Sequence, residues 1–279
     1  MNKFILTIAT LAVFISGNLQ ARMEEPYYTL NVRATACLAE IRVNDYPVFS
    51  WETTRQVSIP MIPINYAILE SGIQSISVTV LPNTGETWLD PASGLKFSIE
   101  LYDANSFELD KEIAEYRSEP VGENEQSIIE YTDTFQADVP YKLDAWQTGI
   151  NLKELDDCRK KLEEAYDNLF NLIQAGELEI FRQMISKREL KMATAMYLSK
   201  EESDKRIDEL IDDLMNPDFK IQPIPENAVM VLYANNKVAT LKKTTGEHVL
   251  SLINSETGEE LTLDILFYIP EGKEEFEII

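Results

Sequence analysis

The chain has few of the residues on which most catalytic and metal sites depend. Its 279 residues contain one histidine, two cysteines and ten glycines, and the glycines form no phosphate-cradling run. The single histidine, His248, excludes zinc sites built on two histidines. The acidic helix faces do not have the spacing of a calcium loop. We therefore predict no metal and no cofactor, and we assign no catalytic residue.

Basic residues are scarce relative to acidic ones. Lys and Arg total 25 against 48 Asp and Glu, which gives a formal net charge of −23. Such a field repels phosphate backbones and anionic lipid surfaces, so it disfavours nucleic acid as a partner. Solubility alone accounts for this charge, but it is also compatible with a basic protein partner.

Long hydrophobic runs are also missing, because the apolar stretch over residues 4–15 is shorter than the roughly 20 residues of a membrane helix. This stretch follows Lys3 and precedes small and polar residues that end at Ala21. That layout is typical of a secretory signal peptide over residues 1–21. We predict a periplasmic or secreted chain that is not membrane-embedded after cleavage, with an uncleaved N-terminal anchor as the alternative.

The two cysteines, Cys37 and Cys158, have two interpretations. In an oxidising compartment a lone pair is a candidate disulfide. Cys158, however, falls between Leu155 and Leu162 on an apolar helical stripe, which favours two separate buried thiols. The sequence leaves both alternatives open, because it does not fix the distance between the two Cα atoms.

The hydrophobic pattern of residues 22–147 has a period of two. Alternating apolar residues predict several strands, with a bulge or turn near Ala39. Turn residues separate these segments, and the stretch over residues 60–63 is one such predicted turn. Many short strands punctuated in this way predict an antiparallel β-sandwich domain.

The period becomes helical in residues 148–279. Apolar residues from Leu152 to Ile173 lie on one helical face, and Gly176 is a predicted C-terminal cap. A second helix is predicted to begin near Leu178, and a third to cover residues 190–198. Ser199 and Glu202 form a predicted capping box that opens a further helix.

Strands return after the helices. An Asn235-Asn236 turn predicts a hairpin, and it is followed by a predicted meander of long strands over residues 249–253, 261–269 and 275–279. We therefore predict an α+β domain whose helices pack on a curved antiparallel sheet.

This element order resembles the nuclear-transport-factor-like superfamily of cone-shaped α+β domains. The resemblance covers roughly residues 152–279, and it rests on the helices, the Asn235-Asn236 hairpin and the closing strand over 275–279. It implies a pocket inside the cone, between helices and sheet, and assigns no catalytic residue. Residues 64–81 are similar to strand patterns of extracellular β-sandwich modules.

Five residues are candidates for ligand binding. Trp51 and Trp88 lie in predicted loops, where tryptophans stack on sugar rings or anchor protein partners, with burial as lids over the ends of the sandwich as the alternative. Tyr197 and Tyr233 are predicted to line the cone cavity or to fill it as core. His248 is a candidate general base there, with a structural role as the alternative.

We predict an exported, non-enzymatic binding or interaction protein of the bacterial envelope. One version is an immunity-type protein whose acidic surface binds a basic protein. A small-molecule or glycan-binding module is the first alternative, and an enzyme using the C-terminal pocket is the second.

Overall fold

The computed structural model of the protein describes residues 23–51, 56–123 and 125–279. These residues form a mixed α+β structure of four antiparallel sheets and three α-helices, with the helices in the C-terminal half. The predicted signal peptide over residues 1–21 lies outside the described residues.

The N-terminal half contains eight strands. They are β1 (Pro26–Thr35), β2 (Leu38–Val43), β3 (Tyr46–Trp51), β4 (Val57–Pro63), β5 (Gly72–Leu81), β6 (Gly94–Asp103), β7 (Leu109–Arg117) and β8 (Ile129–Ala137). One sheet has the order β4–β1–β6–β7, and the other has the order β3–β2–β5–β8. The alternating apolar residues of both sheets are buried in one hydrophobic cluster.

Two details of the N-terminal prediction are wrong. The turn expected near Ala39 lies at Ala36, which has a φ of +51° in the connection between β1 and β2. The predicted turn over residues 60–63 belongs to strand β4, which pairs only with β1 among the described strands. An edge strand tolerates Pro60 and Pro63 because it has a neighbouring strand on one side only. A residue without an N–H group can therefore be accommodated there.

The C-terminal half contains three helices and seven short strands. They are α1 (Cys158–Ala175), α2 (Leu178–Ala195), α3 (Lys200–Met215), β9 (Phe219–Ile221), β10 (Val229–Tyr233), β11 (Val238–Lys242), β12 (Ser251–Asn254), β13 (Glu260–Thr262), β14 (Phe267–Tyr268) and β15 (Glu277–Ile278). The strands form two sheets, with orders β10–β11–β14–β15 and β13–β12–β9.

Three local signals of this half are confirmed. Gly176 ends α1 with a φ of +73°. Ser199 and Glu202 form the capping box of α3. The β10–β11 hairpin contains Asn235 and Asn236 with φ of +55° and +66°.

The third predicted helix and the long meander are wrong. Residues 190–195 continue α2, because no glycine or proline interrupts the run from Leu178 to Ala195. The stretch over 261–269 does not form one strand. The carbonyl of Ile265 instead accepts hydrogen bonds from the side chains of Tyr166 and Thr240.

The space between the helices and the β10–β11–β14–β15 sheet is filled by side chains. Tyr166 and Phe267 are each 1% exposed, and their rings meet edge to face with centroids 5.0 Å apart. The cone pocket predicted for this position is therefore occupied by core residues. No helix among the described residues has the length and apolar character needed to cross a membrane.

Hydrogen bonds join the tip of the β10–β11 hairpin to the turn between β2 and β3. The backbone carbonyl of Asp45 accepts a hydrogen bond from the Ala234 N–H at 2.8 Å. The side-chain Oδ2 of Asp45 accepts one from the Asn235 N–H at 2.8 Å. These contacts place strand β3 beside the C-terminal sheets, where a cleft is formed.

Candidate functional site

A cleft of about 370 Å³ lies between β3 and the C-terminal sheets. Residues 47–50 of β3 form one wall, and the opposite wall is formed by residues from Tyr233 onward in the sequence. The polar side chains of this second wall are Tyr233, Lys242, Glu247, His248, Thr262 and Asp264. The volume falls within the range of about 300–1,000 Å³ that is typical of ligand pockets.

A tight loop brings two of these side chains together. Lys242 and His248 form an antiparallel bridge, and the Lys243 N–H donates to the Glu247 carbonyl at 2.7 Å. Gly246 has a φ of +101°, a value that L-residues with a Cβ rarely adopt. The sequence therefore closes the loop so that Lys242 and His248 reach the same cleft.

His248 interacts with a carboxylate in the cleft. Its Nε2 lies 3.3 Å from Oδ1 of Asp264. Burial lowers the pKa of His248, and Lys242 acts in the same direction, whereas Asp264 raises it. The net pKa is below the usual value of about 6.5, so the imidazole is neutral at pH 7.

The second ring nitrogen of His248 is not presented to the cleft. Nδ1 is buried and has no hydrogen-bond partner among the described residues. A general base must reach the proton it removes, directly or through one water. With Nε2 placed 3.3 Å from Asp264 and Nδ1 shielded from solvent, this geometry suits a residue that positions Asp264 rather than a general base.

Lys242 is a nearly buried cation that lines the cleft. The residue is 9% exposed, and no described carboxylate lies within 4 Å of its ammonium group. The ring of Tyr233 is a more distant neighbour, with its centroid 6.0 Å from Nζ. An ammonium that lines a cleft without a carboxylate partner favours an anionic ligand, because carboxylates and phosphates are strong acceptors for its N–H donors.

Tyr233 contributes an aromatic wall with an occupied hydroxyl. Its Oη donates to Oε2 of Glu40 at 2.9 Å, and the guanidinium of Arg42 lies 4.6 Å from the ring centroid. Burial, followed by the charge of Glu40, raises the pKa of Tyr233. Arg42 in turn pairs with Glu40 and Asp45, so the ring is held from the side of β2.

The two carboxylates of the cleft differ in their partners. Glu247 lies 3.7 Å from Nζ of Lys243 and accepts a hydrogen bond from Thr245 at 3.1 Å. The Asp264 carboxylate has no Lys or Arg partner within 4 Å among the described residues, while the guanidinium of Arg188 donates to the Asp264 backbone carbonyl at 3.4 Å. The cleft therefore contains an ammonium, Lys242, and a carboxylate, Asp264, that form no Lys/Arg–Asp/Glu ion pair among the described residues.

The structure brings two of the five predicted ligand-binding residues, Tyr233 and His248, into this cleft. Trp51 ends strand β3 and packs partly buried against the first core, rather than lying in a loop. Trp88 lies in the connection from β5 to β6 and is 47% exposed. Tyr197 donates its hydroxyl to the Pro26 carbonyl at 3.0 Å and does not line the cleft.

The two cysteines are free thiols, and no disulfide joins them. Cys37 is buried in the cluster of the N-terminal sheets, whereas Cys158 is buried in the cluster around α1. Burial raises the pKa of both thiols, which keeps them protonated at neutral pH.

Sequence reasoning missed Lys242 and Asp264. Lys242 ends an apolar strand, a position that equally suits an exposed terminal charge. Asp264 occupies a polar position in the alternation from Leu261 to Ile269, a pattern that predicts a solvent-facing residue. Neither pattern contains a signal that the two side chains line the same cleft.

Comparisons with protein-family models, with curated proteins and with solved structures found no match. The resemblance to the nuclear-transport-factor-like superfamily therefore stays a prediction. The geometry of the cleft is thus the main guide to function.

Proposed function

We propose that the chain is an exported, non-enzymatic binding protein that takes a small polar ligand in the cleft. The observation that carries this proposal is the position of Lys242, a lysine 9% exposed and without an ion pair among the described residues, in a cleft of about 370 Å³. An anionic group of a bound ligand would supply the counter-charge that the described residues do not provide.

The geometry of His248 supports binding over catalysis. A histidine that acts as a general base needs an accessible nitrogen next to the reacting atom. Nδ1 of His248 is buried, and Nε2 lies 3.3 Å from Oδ1 of Asp264. In this proposal the polar groups of the cleft serve to orient a ligand.

The location of the cleft agrees with a two-domain organisation, which is part of the proposal. We infer a β-sandwich domain over residues 22–147 and an α+β domain over residues 148–279. Two separate hydrophobic clusters support this division, although a few residues after 194 join the first cluster. Ligand sites often form at domain interfaces, as this cleft would.

The experiment is a ligand screen against a variant with a narrowed cleft. Ser50 is exposed on β3 and lines the cleft, so Ser50→Trp fills part of the space without burying a polar group. Ser58 is an exposed serine of edge strand β4 outside the cleft, and Ser58→Trp is the matched control.

Ligand-observed NMR with amino acids, organic acids, nucleosides and mono- and disaccharides would reveal binders. We expect at least one small polar molecule to bind the wild type and the Ser58→Trp variant but not Ser50→Trp. Absence of any binder, or binders that Ser50→Trp retains, would contradict the proposal.

A second candidate is binding of a basic protein, and strand β7 favours it. This edge strand is largely exposed and carries acidic side chains; its first residue, Leu109, is 54% exposed, and the nearby Phe107 is 58% exposed. Edge strands with exposed apolar residues are templates for a partner strand. A basic envelope protein that co-purifies stoichiometrically with the wild type, but not with Phe107→Asp, would support this function. Its absence would contradict it.

A further inference from the structure

We infer that the ligand of the cleft is a small zwitterion, with its anionic group at Lys242 and its cationic group at Asp264. This inference rests on the proposed function and assigns it a ligand class. It depends on the two unpaired charges that share the cleft.

The anionic end is assigned by Lys242. Its ammonium has no carboxylate within 4 Å among the described residues, and the residue is 9% exposed at the cleft wall. An ammonium group donates up to three hydrogen bonds, and carboxylates are strong acceptors for such donors.

The cationic end is assigned by Asp264. Its side chain is 60% exposed, and Nε2 of His248 lies 3.3 Å from Oδ1. A carboxylate has about four lone-pair positions, so acceptor capacity remains for a ligand. His248 is a positioning residue in this arrangement, because its ring packs against one side of the carboxylate.

Ligands of a single charge fit less well. A simple anion such as phosphate would meet the carboxylate of Asp264 and the overall field of a chain with net charge −23. A simple cation would meet the ammonium of Lys242. The volume of about 370 Å³ corresponds to a dozen water molecules at about 30 Å³ each, which suits an amino acid or a dipeptide.

The test uses the full chain and isothermal titration calorimetry with the twenty free L-amino acids. Each amino acid that binds is then tested as its amide, which lacks the negative charge, and as its N-acetyl derivative, which lacks the positive charge. The variants are Lys242→Met and Asp264→Asn, with Lys220→Met as a control at an exposed lysine of β9.

We expect at least one amino acid to bind, and each charge-deleted derivative to bind about 10- to 100-fold more weakly. Lys242→Met should weaken binding of the parent amino acid by a similar factor while leaving binding of its amide unchanged. Asp264→Asn should also weaken binding of the parent amino acid, while leaving binding of its N-acetyl derivative unchanged. The melting temperature of Lys242→Met should be equal to or above that of the wild type, so weakened binding would not reflect unfolding.

The failure of this inference is distinguishable from that of the proposed function. A sugar, nucleoside or organic acid whose binding Ser50→Trp abolishes, with no amino acid bound, would overturn the zwitterion and retain a ligand-binding cleft. If amino acids bind Lys242→Met as tightly as they bind the wild type, the zwitterion assignment is also overturned and the ligand-binding cleft is retained. No binding by any probe would overturn both.

Discussion

The hydroxyl of Tyr166 replaces a ladder hydrogen bond in the C-terminal sheet. Strands β11 and β14 pair Ala239 with Phe267, and the same register would place Leu241 opposite Ile265. There the Tyr166 hydroxyl stands between the strands: it accepts from the Leu241 N–H at 3.3 Å and donates to the Ile265 carbonyl at 2.7 Å. Tyr166 is 1% exposed, so water does not compete for these bonds.

Tyr166→Phe removes this bridge together with the 2.8 Å hydrogen bond between the Tyr166 and Thr240 hydroxyls. The ring retains its edge-to-face contact with Phe267, and the Ile265 carbonyl retains a hydrogen bond from Thr240 at 3.1 Å. The buried Leu241 N–H loses the acceptor it has in the wild type. A buried polar group without a partner costs about 1–3 kcal/mol, so we expect the free energy of unfolding to fall by about 2 kcal/mol.

Urea denaturation followed by tryptophan fluorescence measures this change. Tyr131→Phe is the control, because the Tyr131 hydroxyl donates to Asp133 at 2.7 Å on the exposed surface. We expect little change for the control, since solvent replaces such a bond. Equal midpoints for wild type and Tyr166→Phe, or equal losses for both variants, would refute the bridging role of Tyr166.

Three further predictions concern stability. Burial lowers the pKa of His248 below its unfolded value of about 6.5, so the unfolded chain binds the proton first as the pH falls. The contribution of His248 to the free energy of unfolding should therefore be full above pH ~6.5 and decrease below it. Between pH 7.5 and pH 5.5, urea titrations should show a smaller loss of stability for His248→Gln than for the wild type. Gly176→Ala should lower the free energy of unfolding by about 1 kcal/mol, because φ there is +73° although nothing obstructs a Cβ; thermal melting would show no shift if this reasoning fails. Ser199→Ala removes the cap of α3 and should lower the free energy of unfolding by about 0.5–2 kcal/mol, measured by urea denaturation, whereas an unchanged midpoint would argue that the capping box contributes nothing.

Local signals in the sequence are the most reliable guide to this fold. These signals are Gly176, the Ser199 capping box and the Asn235-Asn236 turn. Each depends on interactions within a few residues, so the local sequence is sufficient to predict it. Strand β7 escapes prediction, because an exposed edge strand has no buried face to impose strong alternation. The interruption of the predicted strand at Ile265 escapes it for a different reason, since its hydrogen bond comes from Tyr166, 99 positions away.

The candidate site is predictable in part. Tyr233 and His248 stand out in the sequence as an aromatic and a titratable residue, and both line the cleft. The cavity is expected between helices and sheet, but that space holds Tyr166 and Phe267. The cleft forms where β3 meets the C-terminal sheets, and this meeting depends on contacts such as that of Asp45 with Asn235, 190 positions apart. No periodicity encodes such a distant contact.

Each of the two hydrophobic clusters contains one shielded thiol, Cys37 in the first and Cys158 in the second. Because the raised pKa values and the burial protect both from alkylation, modification requires that the surrounding cluster open. The chain thus carries an internal reporter in each half. Comparing the labelling rates of the two sites would reveal whether the halves open together or one before the other.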